Sequence, residues 1–143
     1  MEPKKKDPNH CNITIGTIPI RVRYCEVDRM NAVHHSQYAA YFEMGRTELL
    51  RDNGYDYRDL EDRGILLVIA KLEIRYKAPA QYDDILELTT KIAKIDRVRI
   101  EHEYELIRPK DNRLIAQAKT TLVHVDRTGK IQPVPEFLYP EET

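Results

Sequence analysis

Apolar and polar residues alternate along five separate stretches of the chain. In the first, Ile18, Ile20, Val22 and Tyr24 fall on one face, and Pro19, Arg21, Arg23 and Cys25 on the other. That period of two predicts a half-buried strand. Pro19 cannot donate to a ladder, which places this strand at a sheet edge or puts the proline among its first residues. A second run sets Leu66, Val68, Ala70, Leu72, Ile74 and Tyr76 on one face and stops at Pro79. The third carries Leu86, Leu88, Thr90 and Ile92, the fourth Ile100, His102, Tyr104 and Leu106, and the fifth Leu114, Ala116, Ala118, Thr120 and Leu122. Between the last two, Pro109, Lys110, Asp111 and Asn112 form a turn signal.

One stretch has a different period. Tyr38, Tyr41, Phe42, Gly45 and Leu49 recur at the spacing of a single helical face. The helix is expected to begin near His35 or Ser36 and to run to Asp52, where Asn53-Gly54 is a stop signal. Tyr55 to Arg63 is polar and suits a short helical turn ahead of Gly64. Five half-apolar strands and one substantial helix predict an α+β fold: a curved five-stranded antiparallel sheet wrapped around one long central helix. Such a sheet has two edges open to pairing between subunits.

Composition narrows the classes without naming one. A chain of 143 residues suits a single domain, and a formal net charge of −1 argues against a nucleic-acid partner. No apolar run approaches the roughly 18 residues of a membrane span. The basic start lacks the apolar stretch of a signal peptide, so a cytoplasmic location is expected. Residues 1–14 are charged and aperiodic and read as a disordered tail, with a single domain over 15–143. Cys11 and Cys25 do not make a disulfide framework.

The candidate chemistry lies just ahead of the helix, in Asp28 to His35. An Asp at a strand end is commonly a turn former. Here, however, Tyr24 and Val33 promise partly apolar surroundings, and a helix start brings free N–H groups able to stabilise an oxyanion. His34 and His35 are adjacent, but no third ligand has suitable spacing, so no metal is expected. His35 as a base and Ser36 as a nucleophile or cap remain competing readings. Glu43 and Arg46 have the spacing of an intrahelical pair. His102, on an apolar strand face, reads as a hydrogen-bonded core residue.

Three segments carry a family resemblance: Tyr24-Cys25-Glu26-Val27-Asp28, Val33-His34-His35-Ser36-Gln37-Tyr38 and Phe42-Glu43-Met44-Gly45-Arg46-Thr47-Glu48. Tyr82-Asp83-Asp84 adds to them. Together they resemble hotdog-fold acyl-CoA thioesterases of the 4-hydroxybenzoyl-CoA thioesterase-like group, from about Ile18 to Val134. Two positions depart: Asn31 stands where the family usually has Gly, and Gln37 where it usually has Asn. Asn tolerates the left-handed conformation that Gly provides. The resemblance implies hydrolysis of an acyl-CoA, with Asp28 as general base or nucleophile and the backbone N–H of His35 as oxyanion donor. Glu43 is the reserve catalytic residue. Tyr24, Gln37 and Tyr38 are implied substrate contacts, and Arg97 and Arg99 contacts to the CoA phosphates. No cofactor is implied, and a homodimer or homotetramer is. An acyl-carrier-protein thioesterase and a non-catalytic acyl-thioester-binding module are the alternatives.

Overall fold

The computed structural model describes residues 10–141. Five strands form one antiparallel sheet: β1 (Ile15–Arg21), β2 (Leu66–Tyr76), β3 (Ile85–Ile95), β4 (Arg99–Arg108) and β5 (Arg113–Val125). Their order across the sheet is β1-β3-β4-β5-β2, so β1 and β2 are the edges. Pro19 therefore sits on an edge strand, where a missing N–H costs no ladder bond. The long helix α1 (Gln37–Asp52) lies on one face of the sheet, and α2 (Tyr57–Asp62) follows it. The curved sheet around one central helix is the architecture the hydrophobic pattern predicts.

α1 buries Tyr38, Tyr41, Phe42, Gly45 and Leu49, the five residues that its periodicity selects. Gly45 has a specific reason to be glycine. A Cβ there would stand 2.2 Å from Thr90 Oγ1 and 2.7 Å from Leu88 Cδ2, so the helix can lie this close to β3 only without one. Around that contact Phe42, Leu86, Leu88, Leu106 and Ile115 are fully buried. Each such side chain contributes about 1.5–3 kcal/mol of burial.

The strands depart from expectation in β1, in β2 and at the start of β5, where a register shift puts Ile115 in the core in place of the expected Leu114. β1 starts at Ile15, earlier than the alternation from Ile18 suggested, and ends at Arg21, with Tyr24–Glu26 forming a separate 3₁₀ turn. In β2, a register shift between Ile69 and Lys71 makes Ala70 a bulge. Ile69 pairs with Leu122, and beyond the bulge Leu72, Ile74 and Tyr76 pair with Thr120, Ala118 and Ala116, all on the core face. The single apolar face expected for Leu66–Tyr76 is thus two half-faces joined by a parity change, since one extra residue flips every side chain after it.

The expected disordered tail needs correction in part. Residues 1–9 lie outside the described residues. Cys11, however, is buried, and its N–H donates to the Phe137 carbonyl at 3.1 Å. It joins a second apolar cluster with Tyr55, Ile100, Leu122, Val134 and Leu138, and burial pushes its thiol up to about 12. The chain therefore packs well ahead of residue 15.

Candidate active site

Two residues after the 3₁₀ turn, the backbone folds into a small hairpin. Val27 and Val33 form an antiparallel bridge. Between them the Asp28 N–H donates to the Ala32 carbonyl at 2.8 Å, and the Asn31 N–H to the Asp28 carbonyl at 3.0 Å. Asn31 has φ 60°, the left-handed conformation expected of it. Its Oδ1 accepts from the Tyr82 N–H at 3.1 Å, which ties the hairpin tip to the loop before β3. The same loop braces the hairpin base, where the Val33 N–H donates to the Ala80 carbonyl at 2.8 Å. A largely buried Arg108–Asp84 ion pair at 2.9 Å holds that loop in turn.

The hairpin delivers the chain directly to the start of α1. Gln37 N–H donates to the His34 carbonyl at 2.9 Å, and Ser36 N–H to His34 Nδ1 at 3.2 Å. The His35 N–H has no acceptor among the described residues, while its carbonyl accepts from the Tyr76 hydroxyl at 3.2 Å. Ser36 occupies the cap position, yet its hydroxyl meets His34 Nδ1 at 2.8 Å and caps no helical N–H. The His34 and His35 rings touch at a tilt of 31°, with centroids 4.2 Å apart. The helix start is thus left open, an arrangement suited to an oxyanion.

Asp28 is exposed, and its Oδ1 accepts from the Met30 and Ala32 N–H groups at 2.9 and 3.2 Å. The apolar surroundings expected from Tyr24 and Val33 are not formed within one chain. Val33 is buried in the core, but Tyr24 is 78% exposed and rests edge-on against Tyr82. The alternation that put Tyr24 on the inner face ends where the 3₁₀ turn begins.

The remaining candidates separate into near and far. Gln37 and Tyr38 open α1 beside the hairpin. Tyr38 is buried, packs its ring on Tyr41 and Tyr76, and meets the Ala80 backbone with its hydroxyl. Glu43 is exposed on α1, and the expected pair with Arg46 is not formed. Arg46 turns inward instead, to the Tyr104 hydroxyl at 3.2 Å and to Tyr57. Arg97 and Arg99 lie at the β3–β4 turn beyond Ile95, at the other end of the helix. α1 has 16 residues, and at 1.5 Å per residue it holds the two ends roughly 24 Å apart. The structure therefore does not gather these arginines with Asp28 in one chain. Arg99 pairs with Asp96 at 3.7 Å.

His102 is buried as expected, but its Nδ1 has no hydrogen-bond partner. Burial, aided by the Arg46 charge, pushes its pKa down to about 3, so the ring stays neutral. A hollow of about 560 Å³ is lined by Glu73, Arg75, Lys91, Glu103, Glu105 and Lys119. Those charges lie on the outer sheet face, far from Asp28, and balance one another in sign, which makes it a solvated surface.

Sequence reasoning missed Glu26. It is the one buried carboxylate among the described residues, 6% exposed, and it lies directly under the hairpin. Burial pushes its carboxyl up, but donors from the Arg23 backbone, the Tyr41 hydroxyl and the Arg23 guanidinium outweigh this and hold it below the usual range. A signal was present in Tyr41: a tyrosine on the buried helix face needs a partner for its hydroxyl.

An antiparallel sheet curved around one helix, with a carboxylate-bearing hairpin at the helix start, is the hotdog architecture. The sequence matches the thioesterase-like superfamily over residues 22–140, and the chain belongs to that family. It is 31% identical over 115 residues to the acyl-CoA thioester hydrolase YbgC of Escherichia coli, covering 80% of this chain and 85% of that protein. A putative esterase of Aquifex aeolicus is 34% identical over 116 residues, 81% of this chain and 88% of the relative. Among solved structures, a DHNA-CoA thioesterase of Staphylococcus aureus superposes with a TM-score of 0.78 at 29% identity, over 84% of this chain and 79% of that one.

Proposed function

We propose that the chain hydrolyses an acyl-CoA thioester to a free acid and CoA. The observation that carries this reading is the pairing, in one short segment, of the Asp28 carboxylate with the open His35 N–H at the helix start. Asp28 takes a proton from water as the water oxygen bonds to the thioester carbonyl carbon. The His35 N–H donates to the carbonyl oxygen as it becomes negative. Collapse of that intermediate breaks the carbon–sulfur bond and releases a thiolate. A thiol of pKa about 8.5 leaves without strong acid assistance, so one carboxylate and one backbone donor suffice. Alternatively the carboxylate attacks the carbonyl carbon itself, expelling the thiolate and leaving a mixed anhydride that water then hydrolyses. Transfer of label from heavy-oxygen water into Asp28 marks that second route.

The names of the E. coli and S. aureus relatives support CoA as the carrier over an acyl-carrier protein. Arg97 and Arg99 reach the nucleotide only if the pantetheine arm, or a second copy of the chain, spans the length of α1. A second copy is also favoured by β2. Ile69, Leu72 and Tyr76 on the core face of this edge strand stay 45%, 40% and 51% exposed, an apolar margin that monomers seldom leave open. A neighbouring chain there would supply the dry surroundings that Asp28 lacks. We propose a homodimer or homotetramer, which a fully active monomer in sedimentation would contradict.

The test is a panel of acyl-CoA and acyl-carrier thioesters scored by free-thiol release. Turnover of at least one acyl-CoA, unchanged by chelator, is expected. Binding without cleavage across the panel would make the chain an acyl-thioester-binding module instead.

A further inference from the structure

Glu26 joins three pieces of the site. Its Oε1 accepts from the Arg23 N–H at 2.7 Å and from the Tyr41 hydroxyl at 2.8 Å, and its Oε2 from Arg23 Nε at 3.0 Å. Its main-chain carbonyl accepts the His34 N–H at 2.9 Å. One residue thus ties the turn after β1, the second turn of α1, and the backbone that leads to His35. Burying a carboxylate is costly unless every lone pair is well used. A purely structural need at this position would be met more cheaply by an apolar side chain against the ring of Tyr41. The charge instead fixes an orientation. Asp28 lies two residues beyond Glu26, and His35 one residue beyond the N–H that Glu26 receives. Tilting the hairpin at Glu26 therefore moves the carboxylate and the oxyanion donor relative to each other.

We infer that Glu26 is a positioning residue for thioester hydrolysis, holding the Asp28 hairpin in register with the start of α1 so that Asp28 and the His35 N–H address one carbonyl. This rests on the roles proposed above for those two groups. Misplacement of reacting groups by about 1 Å costs rate on the order of 10²-fold while substrate contacts persist. The signature is a loss in kcat with little change in KM.

The experiment compares three variants in steady-state turnover of the best acyl-CoA, with thermal unfolding as a control for folding. Glu26→Gln keeps the shape and removes the charge, and about a 10- to 100-fold loss in kcat is expected with KM nearly kept. Tyr41→Phe removes one donor and leaves the buried ring. It should lose less kcat, and its acid limb should move to higher pH, because Glu26 then takes up a proton more readily. Should Glu26→Gln fail to fold, Tyr41→Phe carries the test alone. In the Asp28→Asn background, Glu26→Gln should add far less loss than it does in the wild type, since it acts through a group already disabled. Unchanged kcat in Glu26→Gln, losses that multiply in the double variant, or an unmoved acid limb in Tyr41→Phe would each overturn the inference. If Asp28→Asn alone keeps its activity, the reading of Asp28 fails separately. A surviving Glu26→Gln loss would then show that Glu26 holds the His35 N–H in place.

Discussion

The two ends of α1 are built to opposite rules. At the C-terminal end, Asn53 closes the helix. Its Nδ2 donates to the Leu49 and Ile13 carbonyls at 3.0 and 2.9 Å, and its Oδ1 accepts the Ile13 N–H at 2.9 Å. Gly54 and Tyr55 N–H groups return to the Arg51 and Leu50 carbonyls, and Tyr55 packs its ring on Phe137. At the N-terminal end the cap residue Ser36 turns its hydroxyl aside, and the His35 N–H stays open. A helix end left unsatisfied costs stability. That cost is tolerated at the end next to the Asp28 hairpin and avoided at the other, which supports the proposal that the chemistry sits at the start of α1.

Substitutions at the two ends should therefore read out differently. Asp28→Asn keeps the hairpin acceptor and removes the proposed base, so a loss in kcat of about 10²–10⁴-fold is expected with folding intact. Steady-state kinetics on purified variant checks it, and a harmless substitution would move attention to Glu43. At the other end, Asn53→Ala strips three hydrogen bonds from the cap. It should cost about 1–3 kcal/mol in denaturant unfolding, with kcat per folded molecule unchanged. Ser36→Ala should cost less than about 0.5 kcal/mol, in contrast to an ordinary capping serine, because no helical N–H depends on it.

Acid separates the ends once more, in stability. His102, under the C-terminal half of α1, has a folded pKa of about 3 against 6.5 for the free group. Below pH 6.5 the unfolded chain takes up a proton that the folded one refuses, so stability falls from there down to about pH 3. Glu26, at the other end, has a folded pKa below its ordinary 4.5. Its contribution is present above that value and is lost only as pH drops further, through the folded pKa. His102→Leu should flatten the part of the pH–stability curve between 6.5 and 4.5 and leave the steeper acid loss in place.

The elements themselves were legible from period alone. The buried face of α1 and the inward residues of β3, β4 and, from Ala116 onward, β5 follow their alternation, because each has one dry side and one wet side. The parity change in β2 leaves no trace in the sequence, because a bulge alters register without altering composition and Ala70 carries no mark of it. Asp28 and the open helix start were legible through the motif around them. Its solvent exposure was not, since Tyr24 leaves the strand in a 3₁₀ turn that alternation cannot register. Helical spacing pairs Arg46 with Glu43, and only the tertiary contact with Tyr104 draws it inward. Glu26 was invisible as a carboxylate among charged neighbours. Its role depends on Tyr41, fifteen residues away.

In the proposed mechanism the helix start acts through its main chain and not through the histidine ring. His35→Ala tests it directly, since the substitution keeps the N–H and deletes the imidazole. Measured as kcat against pH beside Asp28→Asn, the alanine variant should retain most of its activity and the wild-type profile, rising through an apparent pKa that belongs to a carboxylate. A His35→Ala enzyme as crippled as Asp28→Asn, or one that loses a limb of the wild-type profile, would make the imidazole the base and contradict the main-chain role.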